Sequence, residues 1–279
     1  PKSLLETAST LRTPGSQIGF LLLCGYFKAT KRFFLPQDFQ QRDIEAVSKI
    51  LNLHADNFIF SNYGKTTRIR HQKITLEFYG FSSFDSRAEK AIATEIDTMA
   101  RTYLKPKLIL SRCVDFLIQK RIQIPSSRIL SDLIRTGLQN HKVSLVALME
   151  SHLDDQTRNL LGRLFTTSDD QNQYRLTLLK KLSQSTKPSK VKESITDFET
   201  LSELYGKLDN TLSKLDLGYE GIRYYAGSVI RSQIFQLHQR SDTDRYIHAT
   251  AFIAHQFFRI QDNLADTFLK VMATFQNTT

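Results

Sequence analysis

Apolar side chains recur at spacings of three and four along most of the chain, and strict alternation is rare, so helices are predicted throughout. Leu4 to Leu11 reads as a short helix ended by Pro14-Gly15, and Ile18 to Tyr26 as a buried one. Asp43 to Leu51 carries Ile44, Val47, Ile50 and Leu51 on one face. A short helix is predicted over Ala55 to Phe60, and a longer one over Thr67 to Tyr79, with Gly80 as its cap. Ser86 to Leu104 follows and stops near Pro106. Leu108 to Ile122 is amphipathic, with Leu108, Val114, Leu117 and Ile118 apolar. Pro125-Ser126-Ser127 reads as a turn and a helix cap before Arg128 to His141 and Val143 to His152. Asp155 to Phe165 closes this cluster. Thr166 to Asn172 reads as a loop, and Ser183 to Ser194, polar and containing Pro188, as a linker. Ile195 to Leu217, Ile222 to Arg240 and Arg245 to Phe275 form the last helices, with a turn bracketed by Gly218 and Gly221. The expectation is an all-α, multi-helical chain: residues 1–103 as a first helical unit, 104–182 as a second, 183–194 as linker and 195–279 as a helical scaffold.

Composition supports this without adding a function. Eleven Gly and six Pro in 279 residues leave few helix breakers. Cys24 and Cys113 each sit in an apolar stretch and read as small core side chains in a reducing compartment. The longest apolar run, Ile18 to Phe27, is too short to cross a bilayer and is interrupted by Gly25, so no membrane partner is expected. The first residue is Pro1 and not Met, so the chain is expected to be trimmed from something longer.

Charge changes the picture. The net charge is +10, and residues 1–128 hold twenty Lys and Arg against eleven Asp and Glu. The remaining residues hold eighteen against seventeen, so the surplus belongs to the first half. A concentrated positive field favours nucleic acid or another acidic surface. Helix Asp43–Leu51, a tight connection at 52–54, a short helix and then a basic helix fit helix-turn-helix logic. The basic helix opens Gly64-Lys65-Thr66-Thr67-Arg68-Ile69-Arg70-His71-Gln72-Lys73. A helical wheel puts Thr67, His71, Ile74 and Phe78 toward the core and Lys65, Arg68, Ile69, Gln72 and Lys73 outward. Arg68 could pair with guanine, Gln72 with adenine, and Ile69 could touch a thymine methyl. Arg70, Lys73, Lys28, Lys31 and Arg32 suit phosphates. A second basic turn holds Lys120, Arg121, Ser126, Ser127 and Arg128, where free N–H groups at a helix start suit a phosphate. The competing reading is a solvated basic helix in an ordinary helical protein; His71 itself reads as a hydrogen-bonded core residue and not a contact residue.

Catalytic constellations are missing from the sequence. It has no glycine-rich phosphate loop, no metal-spaced Cys/His set and no HExxH. His248 and His255 lie two helical turns apart, too far to share one ion. Asp154-Asp155 and Asp169-Asp170 read as helix caps and solvated loops. No enzyme activity, cofactor or metal is expected of this chain.

Two stretches resemble the Tn-three family of replicative transposases. One runs from Ile18-Gly19-Phe20 through Phe33, then Tyr63-Gly64-Lys65-Thr66-Thr67-Arg68 with His71, Ile74 and Gly80-Phe81. The other holds Tyr224-Tyr225-Ala226, Arg245-Tyr246 through Phe252, His255-Gln256 and Gln261-Asp262. The resemblance implies sequence-specific binding to the terminal inverted repeats of a bacterial mobile element. It also implies a cytoplasmic, nucleoid-associated protein. Cutting and joining would fall to a distant Asp-Asp-Glu domain using magnesium, beyond this chain. The family often has Arg near the position of Lys65, so a two-point contact there becomes a single-point one, which favours a phosphate role for Lys65. The alternative function is a helical interaction module that self-associates through the C-terminal helices and binds DNA incidentally.

Overall fold

A computed structural model of the chain describes residues 3–102, 104–167, 173–181 and 185–276. It is all-α: among the described residues, extended pairing is limited to isolated bridges such as Ser82 with Ile122. Two compact units divide the chain, Pro1–Ile96 with Lys105–Thr136, and Asp97–Leu104 with Gly137–Thr279.

The first unit is built on a buried helix. Helix α1 (Leu4–Ser9) starts with a reciprocal cap, in which the Glu6 N–H donates to Ser3 Oγ (3.1 Å) and the Ser3 N–H to Glu6 Oε2 (2.7 Å). Helix α2 (Pro14–Thr30) is capped by Thr13 and begins at Pro14. Pro14 was expected to end the preceding helix; it opens the next, because proline's fixed φ and missing N–H cost nothing at a first helical position. Ile18, Phe20, Leu22, Leu23, Cys24 and Phe27 are all buried, so α2 is apolar nearly all round. Helix α3 (Gln41–Ile50) packs on it through Ile44 and Val47. Ile50 is 67% exposed; its place in the buried stripe goes to Ser48, which follows Ile44 by four residues. Residues 51–64 hold two short 3-10 turns, Ala55–Asn57 and Phe60–Asn62, in place of the tight connection and single helix expected. The basic helix α4 (Lys65–Tyr79) then packs on α2, running the same way: Phe20 meets His71, Cys24 meets Thr75 and Phe27 meets Tyr79.

Helix α5 (Ser86–Thr102) belongs to the first unit as far as Ile96. Helix α6 (Pro106–Gln119) again has its proline at the start. Helix α7 (Ser127–His152) takes in both stretches read as helix, Arg128 to His141 and Val143 to His152, and only its part up to Thr136 belongs to the first unit. The expected unit 104–182 is therefore not one body. Periodicity finds helices but not their neighbours, and both α5 and α7 pass from one unit to the other.

In the second unit, Asp154 caps α8 (Asp155–Leu164), accepting from the Thr157 N–H at 2.6 Å. Helix α9 (Arg175–Leu179) follows, then α10 (Pro188–Leu215). Residues 188–194, expected within a linker, form its first turns with Ser194 buried. The expected helix Ile222–Arg240 is two, α11 (Tyr219–Arg231) and α12 (Ile234–His238), broken at Ser232-Gln233. Gly221 lies inside α11. Helix α13 (Asp242–Gln276) is the unit's spine, with Ile247, Ala249, Ala251, Phe252, Ile253 and Ala254 buried. Phe257 on α13 stacks on Tyr205 of α10 at 4.5 Å. A partly buried ionic cluster ties α7 to α13: Asp244 accepts from Lys142 (3.1 Å) and Arg240 (3.4 Å), and Arg240 donates to His248 Nε2 (2.6 Å). The Leu182 and Ser183 boundaries lie outside the described residues, as does Tyr103.

Candidate nucleic-acid interface

The charge split of the sequence coincides with the structural division. The first unit holds twenty Lys and Arg against eleven Asp and Glu; the second holds eighteen against seventeen.

Within the first unit, α4 is held by a core that contains its histidine. His71 is fully buried, its Nδ1 2.7 Å from the Tyr63 hydroxyl and its ring edge-on to Phe20 at 5.2 Å. Burial, with the Arg70 charge nearby, pushes its pKa down from 6.5 to about 4, so the ring is neutral at ordinary pH and is a core residue. Cys24 packs beside it with Sγ 3.2 Å from Thr75 Oγ1, and burial raises its thiol to about 11. Cys113 is raised to about 11 for the same reason, with Glu95 adding to it. Neither thiol is activated.

The buried arc of α4 is centred on His71 and Thr75; Leu76 is buried too, but it lies about 100° round from Thr75, in line with Lys65 and Ile69, so the last turn of α4 is covered on that side. Phe78, expected in that arc, is exposed, and Arg68 and Gln72, expected outside, are half-buried on its flank. The wheel was turned by one position because Phe outranks Thr in hydrophobicity, whereas the space against α2 fits Thr75. Over the first turns of α4, Lys65, Thr66, Ile69, Arg70 and Lys73 are exposed and share an arc of about 140°. Ile69 is 53% exposed between these cations. Among the described residues no carboxylate forms an ion pair with Lys65, Arg68, Arg70 or Lys73.

Lys28, Lys31 and Arg32 do not flank the start of α4. They close α2, and since α2 and α4 run parallel they lie at the far end of α4. There Lys31 and Arg32 meet the second basic turn. The Ile124 N–H donates to Lys31 O (2.9 Å), the Ser82 N–H to Arg121 O (2.8 Å) and the Gln123 N–H to Ser82 O (2.9 Å). Arg32 Nη1 donates to Ser127 Oγ at 3.2 Å, joining α2 to the start of α7. Lys31 Nζ stands 6.0 Å above the Phe81 ring. The Arg121 guanidinium lies 3.2 Å from where a side chain on Gly80 would begin. Lys31 (φ 57°) and Arg121 (φ 52°) both adopt the left-handed conformation, unusual for residues with side chains.

The two predicted groups are thus joined by α4 itself. Lys65, Ile69 and Lys73 follow one another at four-residue steps, the exposed Glu77 takes the next step, and the Arg121 guanidinium lies at Gly80, about 22 Å along the axis from Lys65. At the junction, part of the positive charge serves the helix ends: Lys28 and Lys31 sit at the negative end of α2, and Lys120 and Arg121 at that of α6. Asp132 draws on Arg128 (3.9 Å) and Arg135 (3.1 Å). Ser126 and Ser127 are exposed at the start of α7, with Ser126 Oγ accepting from the Ile129 N–H (3.4 Å).

In the second unit a cleft of about 300 Å³ is lined by Asp97, Arg101, Asn140, His141, Ser144 and Asp216, a mixture of both charge signs that sequence reading did not single out. Its residues come from three separate stretches of chain. Among the described residues no three His, Cys, Asp or Glu are placed to hold a metal ion, and Asp169 and Asp170 lie outside them. Among the described residues no helix is long and apolar enough to cross a membrane.

Residues 3–137 match the family model described as a domain of unknown function (DUF4158). No curated protein matches the chain.

Proposed function

We propose that the first unit binds duplex DNA sequence-specifically, as the end-recognition part of a replicative transposase that docks on the terminal inverted repeats of its element. The observation that carries this reading is the exposed arc over the first turns of α4, whose cations have no carboxylate partner among the described residues. The start of α4 enters a major groove with Ile69 toward the bases, and Lys65, Arg70 and Lys73 meet the phosphates that border it. Lys31, Arg32, Arg121 and the start of α7 hold phosphates beyond its edge. Arg68 and Gln72, half-buried on the flank, act on base edges only by reaching round the helix. The resemblance to Tn-three transposases supplies the element ends as target, and the charge split between the units supports the first unit as the binding part.

The test is a footprint of this chain on element ends and on scrambled duplexes at two salt concentrations. A protected stretch confined to the terminal repeats is expected. Lys65→Ala with Lys73→Ala should flatten the salt dependence by about two ion equivalents, roughly 0.9 for each lost phosphate contact. No protection on any duplex at either concentration rejects the reading.

A second reading rests on the end of α13. Phe268 and Leu269 are both 64% exposed on its last turns, with Met272 beside them. A helical module that self-associates through this end, with DNA binding incidental, accounts for that surface.

A further inference from the structure

A pair of large apolar side chains stands in water immediately before the basic helix. Ile59 is 51% and Phe60 60% exposed. The turn that carries them is anchored on both sides. Phe58 stacks on Phe39 at 5.9 Å, and Tyr63 is buried with its hydroxyl against His71. Both anchoring rings reach to within 3.0 Å of where a side chain on Gly19 would start, so α2 accepts them only because that position is glycine. Between the anchors the Asn62 N–H donates to Ile59 O (3.0 Å) and the Tyr63 N–H to Phe60 O (3.3 Å). Gly64 and exposed Lys65 and Thr66 follow directly.

We infer that Ile59 and Phe60 form an apolar wedge that inserts between base pairs of the duplex gripped by α4. The inference rests on the DNA-binding reading above and adds a contact that charge does not supply. A base step offers a flat apolar face bordered by phosphates, which matches an aromatic ring bordered by Lys65. An apolar protein partner would leave that cation facing nothing. The turn's internal hydrogen bonds and buried anchors already hold the two side chains outward, so little ordering is lost on insertion. Phe60 separates adjacent bases, and the step opens toward α4.

The test uses the whole chain and a duplex it selects from a random-sequence pool, with 2-aminopurine walked along the selected site. One position should brighten on binding. Phe60→Ala should abolish that signal and weaken binding about tenfold, the loss expected for one stacked base. The salt dependence should stay unchanged, since no phosphate contact is lost. Phe60→Trp should keep the signal. The melting temperature of Phe60→Ala should match the parent, because the side chain is exposed. If Phe60→Ala leaves both affinity and fluorescence as they were, or alters only self-association, the wedge is rejected and the DNA reading stands. If the chain selects no duplex at all, both fall together.

Discussion

His71 shows how a residue inside a basic helix can belong wholly to the core. Its folded pKa of about 4 lies below the ordinary 6.5 because burial disfavours the charged ring. Between those values the unfolded chain takes up a proton that the folded chain refuses. Stability is therefore complete above about pH 6.5, falls as pH drops toward 4, and levels off below. His248 is displaced in the same direction, by burial and by Arg240, and His141 and His255 also by burial. All four slopes add. Urea unfolding between pH 7 and 4.5 should show a marked loss of stability, with His71→Gln removing a share on the order of 1–3 kcal/mol. An unchanged slope in that variant would place the acid sensitivity elsewhere. That His71 is a core residue was legible in the sequence from its place among apolar neighbours. That Phe78 is exposed was not, since hydrophobicity ranks side chains without knowing which gap they face.

At the scale of elements, helix ends carry the argument. Gly80 ends α4 at φ 67°, and a methyl there would meet the Arg121 guanidinium at 3.2 Å. Gly206 lies inside α10 with open space where a side chain would begin. The same substitution should act oppositely at the two. Gly80→Ala should cost about 1–2 kcal/mol and weaken duplex binding by displacing Arg121. Gly206→Ala should add about 0.5–1 kcal/mol, as alanine replaces a helix-interior glycine. Thermal unfolding of both variants checks this, and a shared sign would refute the account of the α4 cap. Gly80 as a cap was readable because glycine after an apolar-periodic run is a strong stop. The helices before Pro14 and Pro106 do end there, but that each proline also opens the next helix was not legible, because proline marks a boundary without saying which side of it is helical.

At the scale of the whole molecule, charge and apolar surface divide between the two units. The first carries nearly all the net positive charge; the second ends in an exposed apolar stretch on α13. If that stretch joins chains, light scattering of the parent should give a mass that rises with concentration. Phe268→Lys with Leu269→Lys should return the mass of a single chain at every concentration. A parent that stays single throughout would leave the DNA reading without its competitor.

The all-helical class, most helix positions and the location of the positive surplus follow from local pattern and counting, because period, breakers and charge are properties of neighbouring residues. Packing alone decided that α5 and α7 cross between the units, that residues 188–194 are helical, and that Lys31 and Arg32 meet the turn at Ile124 and Ser127 instead of the start of α4. It also turned α4 so that Arg68 and Gln72 fall on the flank of the core. These depend on contacts between residues far apart in the chain, and the parallel run of α2 beside α4, which sets which basic groups share an end, has no signature in either helix alone.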